Sequence, residues 1–377
     1  MTSYGPTTMW GLLAGKDDPS EQAPAGKSTL NRLEVSAAKE DSEEDRYHKI
    51  GLDEKAFEGV FTRWYIRSHR EDPPQQVVLD LDATDTPLHG EQEGKFFHGY
   101  YDHYCYLPLY IFAGQHLLWA QLRRSNIDGS KGSVEAVAGI VKQLRATWPA
   151  TKIILRADSG FARERLMSWC ETHGVDYVFG LAKNDRLKQA LTAQLSEAER
   201  LSGQTGRTER VFGEFSYRTL DSWSRPRRVV GKAEYSRKGA NARFIVTSLR
   251  PATYLGKELY EQFYCARGEA ENRIKEQQLG LFADRSSCQR MKANQLRLWL
   301  ASVTYWLVSE LRRIGLAGTR WARAQARSIR ANLLKVGGLL RSSVRRIYLA
   351  LSSRYAWKTL FGQIRANLHA GWEPPPG

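Results

Sequence analysis

The sequence predicts an α/β protein built on a mixed sheet with helices on its faces. Three observations predict it. Strand signals come first in a row, at residues 76–82, 98–112 and 117–123. Helices and strands then alternate, at 133–148, 151–157, 161–173, 175–181 and 185–201. Finally, short strands rich in Gly, Arg and Tyr fill 202–254, before the chain returns to helix after residue 258. Successive strands joined by short turns pair antiparallel, whereas strand–helix–strand units pair parallel, so the sheet is expected to be mixed.

Each element has a local reason. Residues 1–47 are polar, with a charge run at 39–46 and a single short helix expected at 29–38. A helix follows over 49–70 and is stopped by Pro73-Pro74. The second and third strands form a hairpin around Ala113-Gly114-Gln115. The helix at 133–148 places Val134, Val137, Ile140, Val141, Leu144 and Trp148 on one face and ends at Pro149. Gly174 closes the helix at 161–173. In 202–254 the turns are Trp223-Ser224-Arg225-Pro226 and Lys238-Gly239-Ala240-Asn241. Residues 289–314 carry Leu296, Leu300, Val303, Leu307 and Leu311 on one helical stripe, and a strand at 344–351 and a helix at 356–370 end the fold. The expected divisions are a loosely ordered segment 1–47, a core in two parts at 48–201 and 255–316, a β-rich insertion at 202–254, and a basic C-terminal region at 317–377.

Lys plus Arg number 56 against 41 Asp plus Glu, a formal net charge of +15 on 377 residues. Such an excess points to a polyanionic partner, most often nucleic acid. The 4 cysteines are scattered without a C-x-x-C pair, which excludes a disulfide scaffold and a zinc finger and fits a reducing compartment. The first residues lack a basic leader followed by an apolar core, so they do not read as a signal peptide. The apolar run at 104–122 is broken by Pro108 and by Gly114-Gln115-His116, and that at 298–309 is shorter than the ~20 residues a bilayer requires. No membrane span is expected. No G-x-x-x-x-G-K-[ST] occurs, so ATP dependence is not supported.

Three carboxylates carry the chemistry. Asp82 ends an apolar strand in the sequence Asp82-Ala83-Thr84, where the backbone is rigid and the side chain is accessible. Asp80 and Asp85 compete with it, and Asp80 shares its strand face. Asp158 follows the strand at 151–157 and precedes Ser159-Gly160, a place that suits a helix cap as well as a metal ligand. Glu271 belongs to Tyr264-x2-Arg267-x3-Glu271, where a helix puts Arg267 and Glu271 on one face. The plain reading of that pair is a surface ion pair. The chemical reading is a ligand flanked by phosphate-binding groups.

The strand and helix order is that of the ribonuclease H-like fold. Together with these residues, the chain resembles the DDE transposases of bacterial insertion sequences, in the cut-and-paste branch marked by a Y-x2-R-x3-E-x6-K signature and a β-stranded insertion before the final Glu. The signature falls on Tyr264, Arg267, Glu271 and Gln278, with Gln where the family has Lys. Lys275, one turn from Glu271, is the substitute cation. The resemblance runs from about residue 27 to the C-terminus, through LRADSGFARERL and ENRIKEQQLGLFADR. Family members carry a longer N-terminal region than the polar stub found here. That shortening raises an alternative, a truncated or co-opted DNA-binding remnant that no longer cleaves.

The resemblance implies metal-dependent DNA cleavage and strand transfer, with Asp82, Asp158 and Glu271 as catalytic ligands of two Mg²⁺ ions, or Mn²⁺ in their place. Tyr264, Arg267, Lys275 and Gln278 would contact DNA. In this branch a hairpin intermediate can form, and an aromatic residue of the insertion can hold a flipped base, a role that falls to Trp223. The plain reading of Trp223 is a strand-end core residue. Implied partners are double-stranded transposon ends and target DNA, with a homodimer on DNA, in a bacterial cytoplasm at the nucleoid. His98, Asp102, His103 and Cys105 offer metal-capable groups, but on one alternating strand His98 and His103 would face opposite ways, which argues against zinc.

Overall fold

The computed structural model describes residues 54–343 and 346–370. The helix expected at 29–38 and the lead-in segment lie outside the described residues. The chain divides into two compact units, one of 54–88 with 94–274, the other comprising 89–93 and 275–370 of the described residues.

The first unit is organised by an eight-stranded sheet. Its strands are β1 (Gln76–Ala83), β5 (Leu109–Ala113), β6 (His116–Gln121), β7 (Lys152–Ala157), β8 (Asp176–Leu181), β9 (Glu209–Tyr217), β10 (Arg227–Ser236) and β11 (Gly239–Thr247). They lie in the order β6-β5-β1-β7-β8-β11-β10-β9. β1 pairs antiparallel with β5 and parallel with β7, and β7 pairs parallel with β8. The order β6-β5-β1-β7-β8 with these directions is the ribonuclease H-like sheet. The central strands are apolar because both faces are covered: all of β5 is buried, and so is β7 after Lys152.

The β-rich segment is not a separate domain. β11 pairs antiparallel with β8, so β9, β10 and β11 extend the same sheet. Val230 and Ile245 share a core with Ile154, Val178, Leu259 and Tyr260, and this packing holds the later helical turns against the sheet.

One strand expectation changes. The run at 98–112 is broken at Leu107-Pro108. Before the break, β4 (His103–Tyr106) pairs with β2 (Thr86–Pro87) and β3 (Phe96–His98) in a separate three-stranded sheet. Proline lacks the N–H a continuous ladder needs. The hairpin turn is at Gly114 as expected, with φ +56.

Helix ends also shift. The helix expected at 49–70 is described from Glu54, and breaks at Gly59, whose φ of +74 suits only glycine well. Ser133–Thr147 matches its expectation, with Ala136, Val137, Ile140, Val141 and Leu144 buried. The expected helix at 161–173 is a tight turn, Ser159–Phe161, and then Glu164–Thr172. The expected 185–201 helix is two, Asp185–Ala190 and Thr192–Thr205.

In the second unit, Met291–Glu310 is a long helix, β12 (Gly338–Ser343) pairs with β13 (Arg346–Leu351), and Lys358–Ala370 is a final helix. Residues 344–345 of the expected last strand lie outside the described residues. Val308, Leu316, Ala326, Ile329, Leu333 and Ile364 form its core. The predicted leucine stripe is not the buried face: Leu300 and Leu307 are 51% and 65% exposed. Leu298, Trp299, Tyr305, Trp306 and Val308 are buried instead. Two apolar faces competed, and the one with three large aromatics buries more area. The later part of this unit begins at Lys275, so the expected piece 255–316 is divided between the two units.

Candidate active site

Asp82 lies at the C-terminal end of β1. The three competing acids of that strand end sort by partner. Asp80 is 1% exposed and takes a two-pronged contact from Arg156, Nε to Oδ1 at 2.6 Å and Nη2 to Oδ2 at 2.8 Å. Asp85 Oδ2 pairs with His103 Nε2 at 2.8 Å. Asp82 is partly exposed and has neither partner.

Asp158 follows β7, and the parallel register ends on Leu81↔Ala157. Asp82 and Asp158 are therefore the next residues on neighbouring strands, which run about 5 Å apart. Asp158 Oδ1 accepts the Gly160 N–H at 2.9 Å and caps the tight turn after β7. The capping and site readings are compatible, because the cap occupies a single oxygen.

Glu271 is on the helix Gly268–Lys275, preceded by wide π-type turns over Leu259–Tyr264 and a tight turn at Cys265–Arg267. Irregular turns of this kind are common at functional sites. Two contacts fix this segment on the sheet. Arg156 Nη1 donates to the Phe263 carbonyl at 2.5 Å, and its guanidinium lies 5.3 Å from the Phe263 ring centre. The Tyr264 hydroxyl occupies space left by Gly180 on β8. A Cβ there would lie 2.5 Å from that hydroxyl oxygen and 2.9 Å from the Ser159 nitrogen.

Arg267 is the centre of charge. Its Nη2 is 2.8 Å from Glu271 Oε1, and its charge acts on the Tyr264 phenol. Burial opposes its charge, but Tyr264, Glu271, Asp82 and Asp158 together hold it protonated, above its ordinary value. Burial pushes the Asp82 carboxyl up to about 6; Arg267 opposes this, while Asp158 and Glu271 add to it. Burial also raises the Tyr264 phenol. The structure thus brings Asp82, Asp158, Glu271, Arg267 and Tyr264 into one electrostatic cluster. Among the described residues, no three His, Cys, Asp or Glu side chains are gathered closely enough to share a metal ion.

The remaining expected site residues fall elsewhere. Lys275 is exposed and ends the Glu271 helix, and Gln278 is partly buried in the wide turn Glu276–Gly280. The role expected of Trp223 is corrected. It is 3% exposed, packed edge-on against Tyr217 and under the Arg227 guanidinium, so it offers no face to a base. Arg227 in turn pairs with Glu164 and Glu171. The argument against zinc also changes. His98 and His103 are on separate strands, directly opposite each other, and His103 is bound to Asp85.

Sequence reasoning missed Arg156 and Gly180. The signal for Arg156 was present: an arginine inside the apolar run KIILRAD needs a buried acid. Gly180 showed only as a glycine in a strand, a mark of close backbone approach.

The sheet order, with aspartates ending its first strand and the parallel neighbour, defines a ribonuclease H-like protein. The chain belongs to the family described as transposase DDE domain, group 1, which matches residues 11–371. Proteins of this family generally use divalent metal ions. No curated protein matches. Six solved chains do. One is from the cryo-EM structure of a piggyBac transposase synaptic complex with hairpin DNA, at 11% identity and a TM-score of 0.37. That match covers 75% of this chain and 58% of the other, so this chain spans less than two thirds of it. Among the described residues no helix is long and apolar enough to cross a membrane.

Proposed function

We propose that this chain is a DNA transposase, cleaving strands at the ends of an insertion sequence and transferring them to target DNA. One observation carries the reading: the register sets Asp82 and Asp158 side by side at the ends of β1 and β7, and Arg267, 2.8 Å from Glu271, adds its charge to theirs. Three carboxylates against one arginine leave an excess of negative charge that attracts cations. Its donors are all oxygens, which fits Mg²⁺, with Mn²⁺ as substitute. Asp82, Asp158 and Glu271 would hold two such ions, which when bound supply Lewis-acid activation of the attacking oxygen and charge stabilisation on the leaving one.

The chain's own residues do the rest. Arg267 and Tyr264 orient the scissile phosphate, Arg267 by charge and fork geometry, Tyr264 as a hydroxyl donor. Lys275 and Gln278 contact the strand further along. No protein nucleophile is required, since water or a DNA 3′-OH attacks. The formal charge of +15 suits double-stranded DNA, and cutting two ends calls for two copies of the chain. The setting is the bacterial cytoplasm at the nucleoid.

A second reading has its own support. Glu271 is engaged by Arg267, and among the described residues no three acids are gathered closely, as in a protein that holds DNA without cutting it. Asp158→Ala separates the two. Under the first reading, wild type nicks terminal-repeat DNA with Mg²⁺, and the variant does not but binds with an unchanged salt dependence. Cleavage by the variant would overturn the site, and no cleavage by wild type would leave the holding role.

A further inference from the structure

We propose that the small β2-β4-β3 sheet is a stacking platform for unpaired nucleobases on the DNA strand passing Asp82. The inference rests on the DNA reading above and adds a contact to it.

β2 begins at Thr86, four residues beyond Asp82, so the small sheet grows directly out of the candidate site. The Asp85–His103 contact, 2.8 Å long, ties β4 back to that link. Phe97 and Tyr104 are register partners, with ring centres 5.6 Å apart and planes at 76°. They are 53% and 49% exposed, and Tyr100 at the hairpin tip is 85% exposed. Lys95 Nζ lies 5.1 Å from the Tyr104 ring centre. Inward of the tip, Tyr101 contacts the Tyr100 ring and feels the charges of Asp85 and Asp82, which mark how near the site is.

Three large aromatics are seldom left this open in a folded protein without a partner. Their company decides which partner. A cation beside exposed rings, on a chain of charge +15 and next to a phosphodiester site, matches nucleic acid: the rings take base faces and the lysine takes phosphate. Paired bases are stacked on their neighbours and present no face, so the platform selects unpaired ones.

The experiment uses the full chain and two labelled duplexes, one fully paired and one with a central run of unpaired bases. Fluorescence anisotropy reads affinity at fixed salt. Wild type should prefer the unpaired duplex. Tyr100→Ala and the double variant Phe97→Ala/Tyr104→Ala should each lose roughly 5- to 150-fold of that preference per stacked base, with paired-duplex affinity unchanged. Tyr100→Trp should keep it. The proposal falls if wild type shows no preference, or if the alanine variants retain it. It falls too if those variants alter sedimentation but not DNA affinity, for then a second copy covers the face. Asp158→Ala must retain the preference, because stacking needs no cleavage. Nicking without the preference would remove the platform and leave the transposase reading; the preference without nicking would do the reverse.

Discussion

Replacing Arg156 by leucine should cost more than most changes in this fold, and the reason is local. Asp80 is 1% exposed, and both its oxygens are bonded by Arg156, itself 8% exposed. The shorter apolar side chain would fill much of the volume but leave a buried carboxylate without the guanidinium that bonds both its oxygens. Removing one partner of a buried pair costs about 3–5 kcal/mol. With a urea slope of about 2–3 kcal/mol/M, the unfolding midpoint should fall by roughly 1–2.5 M. A double-mutant cycle isolates the pair: Asp80→Leu should also destabilise, and the double variant should cost at least about 2 kcal/mol less than the sum. The reach of Arg156 gives a second readout. It also holds the Phe263 carbonyl, so amide exchange over residues 259–271 should speed up in Arg156→Leu by more than the global loss explains. Additivity within about 0.5 kcal/mol, or unchanged exchange in that segment, would refute the reasoning.

Gly180→Ala would set a Cβ 2.9 Å from the Ser159 nitrogen and 3.2 Å from the Asp158 carbonyl carbon, backbone that cannot turn aside. We expect a stability loss of about 1–3 kcal/mol and a cleavage loss of roughly 10²-fold from a shifted Asp158, with DNA affinity kept; intact cleavage would show that the turn has slack. Acid should weaken the fold through Glu164. Burial raises its carboxyl, but hydrogen bonds from Arg227, Ser168 and Ser224 outweigh that and bring it down to about 2. A folded value below the ordinary 4.5 stabilises above pH 4.5, and that stability is lost as pH falls from 4.5 towards 2. Solvent screens this partly open carboxylate, so the loss should be on the order of 1–2 kcal/mol. Arg227→Leu should lower stability at pH 7 and flatten that acid dependence in denaturation curves, and an unchanged slope would assign the acid sensitivity elsewhere.

The sheet's parallel heart was legible because β1, β7 and β8 are short apolar runs bounded by turn residues, and Gly114 marks a tight hairpin. Pairing was not. That β11 joins β8 depends on the register Phe244↔Leu181, and nothing near either residue names the other. The 202–254 segment therefore read only as a β-rich insertion, and the pairing of its strands with the sheet stayed hidden. The long helix teaches a similar lesson. Its period was visible, but the choice between its two apolar faces depended on what each could pack against.

At the site, one arginine went unread. Asp80 and Asp82 share a strand face and a sequence context, and context alone could not separate them. The register does, since Arg156 stands opposite Asp80 and consumes it. A buried arginine must find an acid, so KIILRAD already called for a structural carboxylate somewhere; only the pairing shows that it is Asp80. At Arg267 the balance is reversed. It faces three carboxylates, so when all are ionised the cluster keeps an excess of negative charge in a chain of net charge +15. Burial has pushed Asp82 up to about 6, with Asp158 and Glu271 adding to the rise and Arg267 opposing it. That excess sits in a chain with a surplus of cations, and it is the charge on which the proposed binding of divalent ions depends.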